Sequence, residues 1–588
     1  MPQSPLSYLA GDGSIPSAGN ATTFVHPHFF PLYVVKITDL LTMEMPAPSH
    51  TDLLNRGLLH SWHPGMFSIF LSHQWLGRLH PDPDGSQLNI LRESLLKLIK
   101  GSVSVECNLP SMIHGQLPDW SADMAKRLEN GFIFLDWFSI PEIVARESDS
   151  YDDESCSTTM AVRSIPFYVE ACDLFFVLAP ELRHKDTGRL CNYASWLSRG
   201  WCRAELWCRL LSAKTDTSVV VVYSAEELEF MFQLDWQHNT IADGVFTVEA
   251  DRARVVSLGE AAAEGKLRQL RQSGHKDVYR FFLAHRHWLL GRARHRWQIQ
   301  DFLSQFHFDD LEAAAAEGVM SGVLCAIFAG DSEVLTALVE ARAHVNSSIR
   351  GLSDLGYFDG MSPLTVATRS NQDPEMLSTL LKLRADVNYR VPMSGACAAH
   401  VVRSSEQFRI LKDAGVDFHS VAMPIGMTPL TSAAGFASAE VVSALLEARS
   451  DPNPPLQGVG WSPLHAVALF SRGRADGAEI VHLLVKAQGD LNAKARMSGP
   501  VSWIAGAMKA QTAIWGLSAC GSKARCLASL PGITPLGAAA LAGDETLTGL
   551  FLDLGAPIAP NDMGSLPEEL AQANRHANVT SLLDFLSI

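Results

Sequence analysis

Three short strings hold the residues best suited to chemistry: Ser72, His73, Gln74 and Trp75; Asp136, Trp137 and Ser139; and Glu205. The first two strings each leave an apolar run that reads as a strand, and Glu205 falls near the start of a helix. In an open α/β sheet, ligands gather beyond the carboxyl ends of the strands, where the strand order reverses. The strings would meet there and offer an aromatic stacking surface, hydrogen-bonding groups and a carboxylate. The same residues also have a purely structural account. A carboxylate in a first turn is favoured by the helix dipole, and both tryptophans can be packed.

Other chemistries have little to rest on. There is no Gly-x-x-x-x-Gly-Lys loop, no kinase signature set and no Gly-x-Ser-x-Gly elbow. His285 and His287 stand two apart and Cys202 and Cys208 six apart, without a partner at a spacing that closes a tetrahedral site, so no metal and no cofactor are expected. Cys202, near a helix start, is either a thiol of lowered pKa or, more commonly, a buried structural one.

The elements that must position these residues alternate between strand and helix, the mark of a parallel sheet with crossover helices. Phe67–Ser72 and Phe132–Asp136 read as strands, as do Ala171–Leu178 and Val219–Val222. Leu88–Lys100 reads as an amphipathic helix, a second helix starts near Ser198, and the acidic, Ser-rich stretch Glu147–Thr159 reads as a mobile loop. The expected domain runs over 61–225, after an unassigned extension over 1–60.

Further along, the chain repeats itself. Gly360-Met-Ser-Pro-Leu, Gly426-Met-Thr-Pro-Leu, Gly460-Trp-Ser-Pro-Leu-His and Gly532-Ile-Thr-Pro-Leu are spaced 66, 34 and 72 residues apart, with a degenerate copy at Ser394–His400. The wide last interval holds an aberrant stretch, Ala493–Pro531, that is either a decayed repeat or an insertion. Successive units end in polar turns at Asn346, Asn388, Asp417, Asn453 and Asn492. Between start and end lies a helical pattern such as Glu440–Ala448, which puts Val441, Leu445 and Leu446 on one face. Proline suits a first helical turn, the Ser or Thr before it can cap, and the Asn/Asp end makes a projecting turn. One such helix pair cannot shelter its apolar side alone, so neighbours must stack. About seven units are expected over 318–588.

Composition sets bounds on the whole. With 588 residues and 47% apolar content the chain can bury several cores, and 47 Lys and Arg against 63 Asp and Glu give a net charge of −16. That charge disfavours nucleic acid as a partner. The ten cysteines are scattered, which suits a reducing compartment, and no Lys or Arg precedes Lys36, so the basic start of a secretory signal is missing and a cytoplasmic location is expected. The uncharged runs Phe418–Ala439 and Cys526–Gly543 each contain two prolines and do not read as membrane spans. Gly265–Gln300 carries nine Lys or Arg against Asp277 alone, with aromatic residues at helical spacing, within a stretch, 226–317, that reads as a basic helical connector.

The repeat resembles the ankyrin family, whose Thr-Pro-Leu-His signature is matched most fully at Ser462-Pro463-Leu464-His465. That resemblance implies an all-α solenoid binding proteins on its concave face through the turns at Asn346, Asn388, Asp417, Asn453 and Asn492. His465 is then a histidine that caps its own turn. Residues 61–225 resemble Toll/interleukin-receptor (TIR) domains and their relatives, the fungal heterokaryon-incompatibility domains, through Phe70-Leu-Ser-His73, Leu135-Asp136 and above all Trp201-Cys-Arg-Ala-Glu-Leu206. The resemblance implies a flavodoxin-like α/β fold and possible self-association. In members that cleave NAD it implies a catalytic carboxylate at Glu205, with Ser72, His73, Trp75, Asp136 and Trp137 lining the substrate site. The expected role is that of a cytosolic signalling scaffold, with NAD cleavage the alternative.

Overall fold

The computed structural model describes residues 24–107, 111, 120–141, 156–214, 216–232, 239–472 and 474–584. It divides into two compact units, 1–293 and 294–588.

The first unit is built on a sheet whose central strands are almost wholly apolar, as strands covered on both faces must be. These are β3 (Ser68–His73), β5 (Phe132–Phe134), β6 (Leu174–Leu178) and β9 (Val219–Val222). Four more complete it: β1 (Tyr33–Lys36), β2 (Leu59–Ser61), β4 (Glu106–Cys107) and β10 (Leu228–Phe230). The order is β2-β1-β5-β3-β6-β9-β10-β4. The four central strands run parallel in the order β5-β3-β6-β9, while β1, β2 and β10 pair antiparallel to their inner neighbours. Numbered by their place in the chain, the parallel strands read 2-1-3-4, the doubly wound order in which chain direction reverses between β3 and β6. The carboxyl end of β3 therefore lies at the switch point. Strands β1 and β2 come from the stretch the sequence leaves unassigned.

Helices cover the sheet. α1 (Ser86–Ile99) buries Leu88, Leu91, Leu95 and Leu98, a spacing of three and four that keeps one face inward. α2 (Ile165–Ala171) and α3 (Tyr193–Ser198) precede α4 (Gly200–Leu210). α5 (Asp251–Ser273) packs on α4 and on α6 (Lys276–Leu289), so most of the basic stretch is docked on this unit, with Tyr279, Phe281, Phe282 and His285 buried. Most of Glu147–Thr159 lies outside the described residues; its last three residues begin a helix, Ser157–Arg163.

Among its described residues the second unit stacks seven helix pairs, apart from an inserted pair. Their first helices are Gly322–Ala329, Pro363–Arg369, the 3₁₀ turn Ala398–Val401, Pro429–Phe436, Pro463–Phe470, Pro535–Ala542 and Pro567–Ala573. Each packs on the next, and the second helices form a parallel row of their own. The prolines at 363, 429, 463 and 535 sit at the first helical position, and Ser362, Thr428 and Thr534 each accept a bond from the main-chain N–H three residues on. Such a cap contributes about 1 kcal/mol. The first helices Gly322–Ala329, Pro363–Arg369, Pro429–Phe436, Pro463–Phe470 and Pro535–Ala542 are buried nearly all round and second helices on one side only; in Ala439–Glu447 the inward residues are Ala439, Val441, Val442 and Leu445, and Leu446 is only half-buried. Pro463–Phe470 packs directly on Pro535–Ala542. Ala493–Pro531 is thus an insertion, folded as helices Pro500–Trp515 and Ser522–Ser529 packed on one another.

Candidate functional site

The expected cluster at the end of β3 exists as two hydrogen-bonded chains that start from adjacent residues. Successive side chains of a strand leave opposite faces. Ser72 and His73, both buried, accordingly point to different partners.

On one side, the indole N–H of Trp196 in α3 donates to Ser72 Oγ at 3.0 Å, and the Ser72 hydroxyl donates to Glu205 Oε2 at 2.5 Å. Glu205 is the sixth residue of α4, whose first turn holds no acidic residue. The dipole account of this carboxylate therefore fails, because that effect fades beyond the first turn. Burial pushes the Glu205 pKa up to about 8, the negative charge of Asp136 adds to the rise, and the Ser72 hydroxyl and the His73 cation pull against it. At neutral pH the group is mostly the uncharged acid.

On the other side, Gln87 of α1 donates through Nε2 to the carbonyl of Gln74 at 2.9 Å, which turns its Oε1 toward His73 Nδ1, 3.0 Å away. His73 Nε2 meets Asp136 Oδ1 at 3.1 Å. Both ring nitrogens face acceptors, an arrangement that favours the doubly protonated imidazolium. Burial opposes that charge, yet Asp136 and the bonds to it and to Gln87 outweigh burial and raise the pKa. Asp136 shows the mirror effect. Burial favours its neutral form, but the His73 cation and N–H donors from Trp75 (2.9 Å) and the Trp137 main chain (2.6 Å) hold its pKa low. Two nearby carboxyl groups are thus driven apart, one to an ion and one to an acid, a separation often found where proton chemistry is done.

The structure joins Ser72, His73, Trp75, Asp136 and Glu205 in this cluster. Trp137 flanks it: its ring meets Trp75 edge-to-face at 6.0 Å and its indole N–H donates to Ala47 O at 3.1 Å. Both tryptophans are half-buried. Ser139 is fully buried and away from these contacts. Cys202 is a structural thiol, its Sγ–H aimed at His73 O at 3.7 Å and its pKa pushed up by burial. Sequence reasoning missed Trp196 and Gln87. Trp196 carried a faint signal, as an aromatic residue five positions before Trp201; Gln87 carried none.

In the second unit the finger residues have their own geometry. Asn346 bonds Arg384 O and Asp386 N at 3.1 and 2.8 Å, Asn388 bonds Gly415 O and Asp417 N at 3.1 and 2.9 Å, and Asn453 bonds Gln488 O and Asp490 N at 2.8 Å each. Each asparagine staples its finger to the next. Asp417, which has no amide to donate, pairs with Arg390 at 2.8 Å instead. Asn492 is exposed, and its side chain makes no hydrogen bond among the described residues. His465 caps as expected: Nδ1 accepts from the Ser462 N–H at 3.2 Å and Nε2 donates to Ile533 O at 2.9 Å, which ties the fifth unit to the sixth across the insertion.

Among the described residues, no three of His, Cys, Asp and Glu gather as a metal ion would require, and no helix is long and apolar enough to cross a membrane. No curated protein matches the chain. The ankyrin-repeat family matches over the fifth helix pair and the turns around it, and residues 459–496 are therefore an ankyrin repeat.

Proposed function

We propose that the protein is a scaffold whose helix-pair stack holds a partner protein against its finger face, with a TIR-like α/β domain in the same chain. The observation that carries this reading is the ankyrin repeat at 459–496, set within seven pairs that stack in one register. Ankyrin repeats generally bind proteins. The asparagine staples join the first three fingers to one another and the fourth to the fifth, and exposed residues such as Arg350 and His419 lie on these fingers. The test is capture on the immobilised full-length chain, compared with an Arg350→Glu, His419→Glu variant. Partners that bind the wild type and are lost from the variant support the reading; identical capture by both contradicts it.

A second reading, cleavage of NAD by the TIR-like domain, is favoured by one observation: a half-buried carboxyl of raised pKa at the switch point that the helix dipole does not explain. In this reading water adds to the ribose carbon as the nicotinamide bond breaks, giving ADP-ribose, nicotinamide and a proton. Glu205, once ionised, would stabilise the positive charge that builds on the ribose. Trp75 or Trp137 would stack the adenine. Nicotinamide release by the full chain, lost in Glu205→Gln, is the measurement; no release at high protein concentration removes this reading. Self-association through the TIR-like domain belongs to the same proposal.

A further inference from the structure

The insertion leaves an apolar surface that the solenoid does not cover. In helix Pro500–Trp515, Ala505 and Thr512 face inward, while Trp503 is 80% exposed, Ile514 75%, Trp515 69% and Ile504 53%. At 100° per residue, Trp503, Ile504, Ala507, Ala510, Ile514 and Trp515 share one side of the helix, with Gln511 the polar, uncharged residue among them. Exposed tryptophans at both ends of one face are uncommon on a folded domain and mark a contact surface.

Charge identifies the occupant. From Leu491 to Gly543, 53 residues contain no Asp or Glu and five Lys or Arg, in a chain of net charge −16. Lys494, Arg496 and Lys523 are exposed. Lys494 and Lys509 rest on the main-chain carbonyls of Pro560 and Asp562, at 3.0 and 2.6 Å, so those contacts leave the positive charge standing. A protein partner would require complementarity only where it touched. An anionic bilayer repels carboxylates over its whole plane, draws in lysine and arginine, and accepts tryptophan at the level of its headgroups. We infer that the exposed face of Pro500–Trp515 docks the protein on an anionic phospholipid surface, with Trp503, Ile504, Ile514 and Trp515 entering the headgroup boundary and the basic residues beside it.

The test is co-sedimentation of the full-length chain with vesicles of phosphatidylcholine alone and of phosphatidylcholine mixed with phosphatidylserine. Binding is expected to the mixed vesicles, to weaken with added salt, and to fall about tenfold or more in a Trp503→Ser, Trp515→Ser variant. Both positions are exposed, so the variant should keep the wild-type melting curve. A Lys494→Ala, Lys523→Ala variant should lose the preference for phosphatidylserine. No binding to mixed vesicles, or equal binding by the tryptophan variant, overturns the inference. So does wild-type self-association that the tryptophan variant abolishes without any vesicle binding, since the face would then be a protein interface.

Discussion

The Ser72 hydroxyl and Glu205 Oε2 stand 2.5 Å apart although 133 residues separate them in the chain. This contact places an otherwise unexplained carboxyl at the switch point of the sheet, and it has a cost. The folded pKa of Glu205, about 8, lies above its ordinary value, so between roughly pH 4.5 and 8 the folded state holds a proton that the unfolded state has released. Stability from this group is complete below that window and is lost as pH rises through it. Glu205→Gln, which keeps the shape and removes the ionisation, is expected to raise the melting temperature, and by more at pH 8 than at pH 5. Equal shifts at both values would contradict the assignment.

The same ionisation governs the second functional reading. If Glu205 acts as a carboxylate on developing positive charge, nicotinamide release should climb as pH rises through about 8. Ser72→Ala should move the midpoint upward, because the Ser72 hydroxyl favours the ionised form. A rate independent of pH across this range would separate Glu205 from any turnover.

His465 supplies a pH test of opposite sign in the second unit. Burial lowers its pKa to about 4, and its two main-chain hydrogen bonds require the neutral ring, whose Nδ1 also meets the Ser462 hydroxyl at 2.8 Å. Between roughly pH 6.5 and 4 the unfolded chain binds a proton that the folded one refuses, so stability present above that window is lost as pH falls through it. His465→Ala should cost about 2 kcal/mol at pH 7, from the unpaired Ser462 N–H, the lost bond to the Ile533 carbonyl, which keeps only the Ala495 N–H, and the cavity, and should flatten the acid limb of the curve. Urea unfolding at several pH values reads both effects.

The finger asparagines divide into staples and a free end. Asn453→Ala removes two bonds to the next finger and should cost about 1 kcal/mol, whereas Asn492→Ala should change stability little. Equal losses at the two positions would show that the staple is not what stabilises the stack.

Much of this fold was legible because the signals were local. Proline after serine or threonine marks a capped first turn wherever it occurs, and the four fullest repeats announce themselves by it. The continuous apolar runs of β6 and β9, and the Ile-Phe-Leu centre of β3, reveal strands buried on both faces. Strands β1, β2, β4 and β10 are two to four residues long and owe their conformation to pairing with neighbours, which no short window of sequence records. The site was half legible. Ser72 and His73 end a strand and Asp136 follows one, so all three could be placed; Glu205 reads as a first-turn acid, yet it lies past the first turn whether α4 is counted from Ser198 or from Gly200, and the roles of Trp196 and Gln87 depend on how helices cross the sheet. The finger asparagines looked like binding residues because they project; that they bond the adjacent finger depends on a spacing between repeats that only the stack sets.

The central claim is that the finger face, and not the row of second helices, meets the partner protein. A photo-crosslinking amino acid at His419, an exposed finger position, and at Glu406, exposed on the second helix of the same unit, compares the two faces within one full-length chain. A protein adduct from position 419 and none from position 406 is the expected result. Adducts from 406 alone, the same adducts from both, or none from 419 would contradict it.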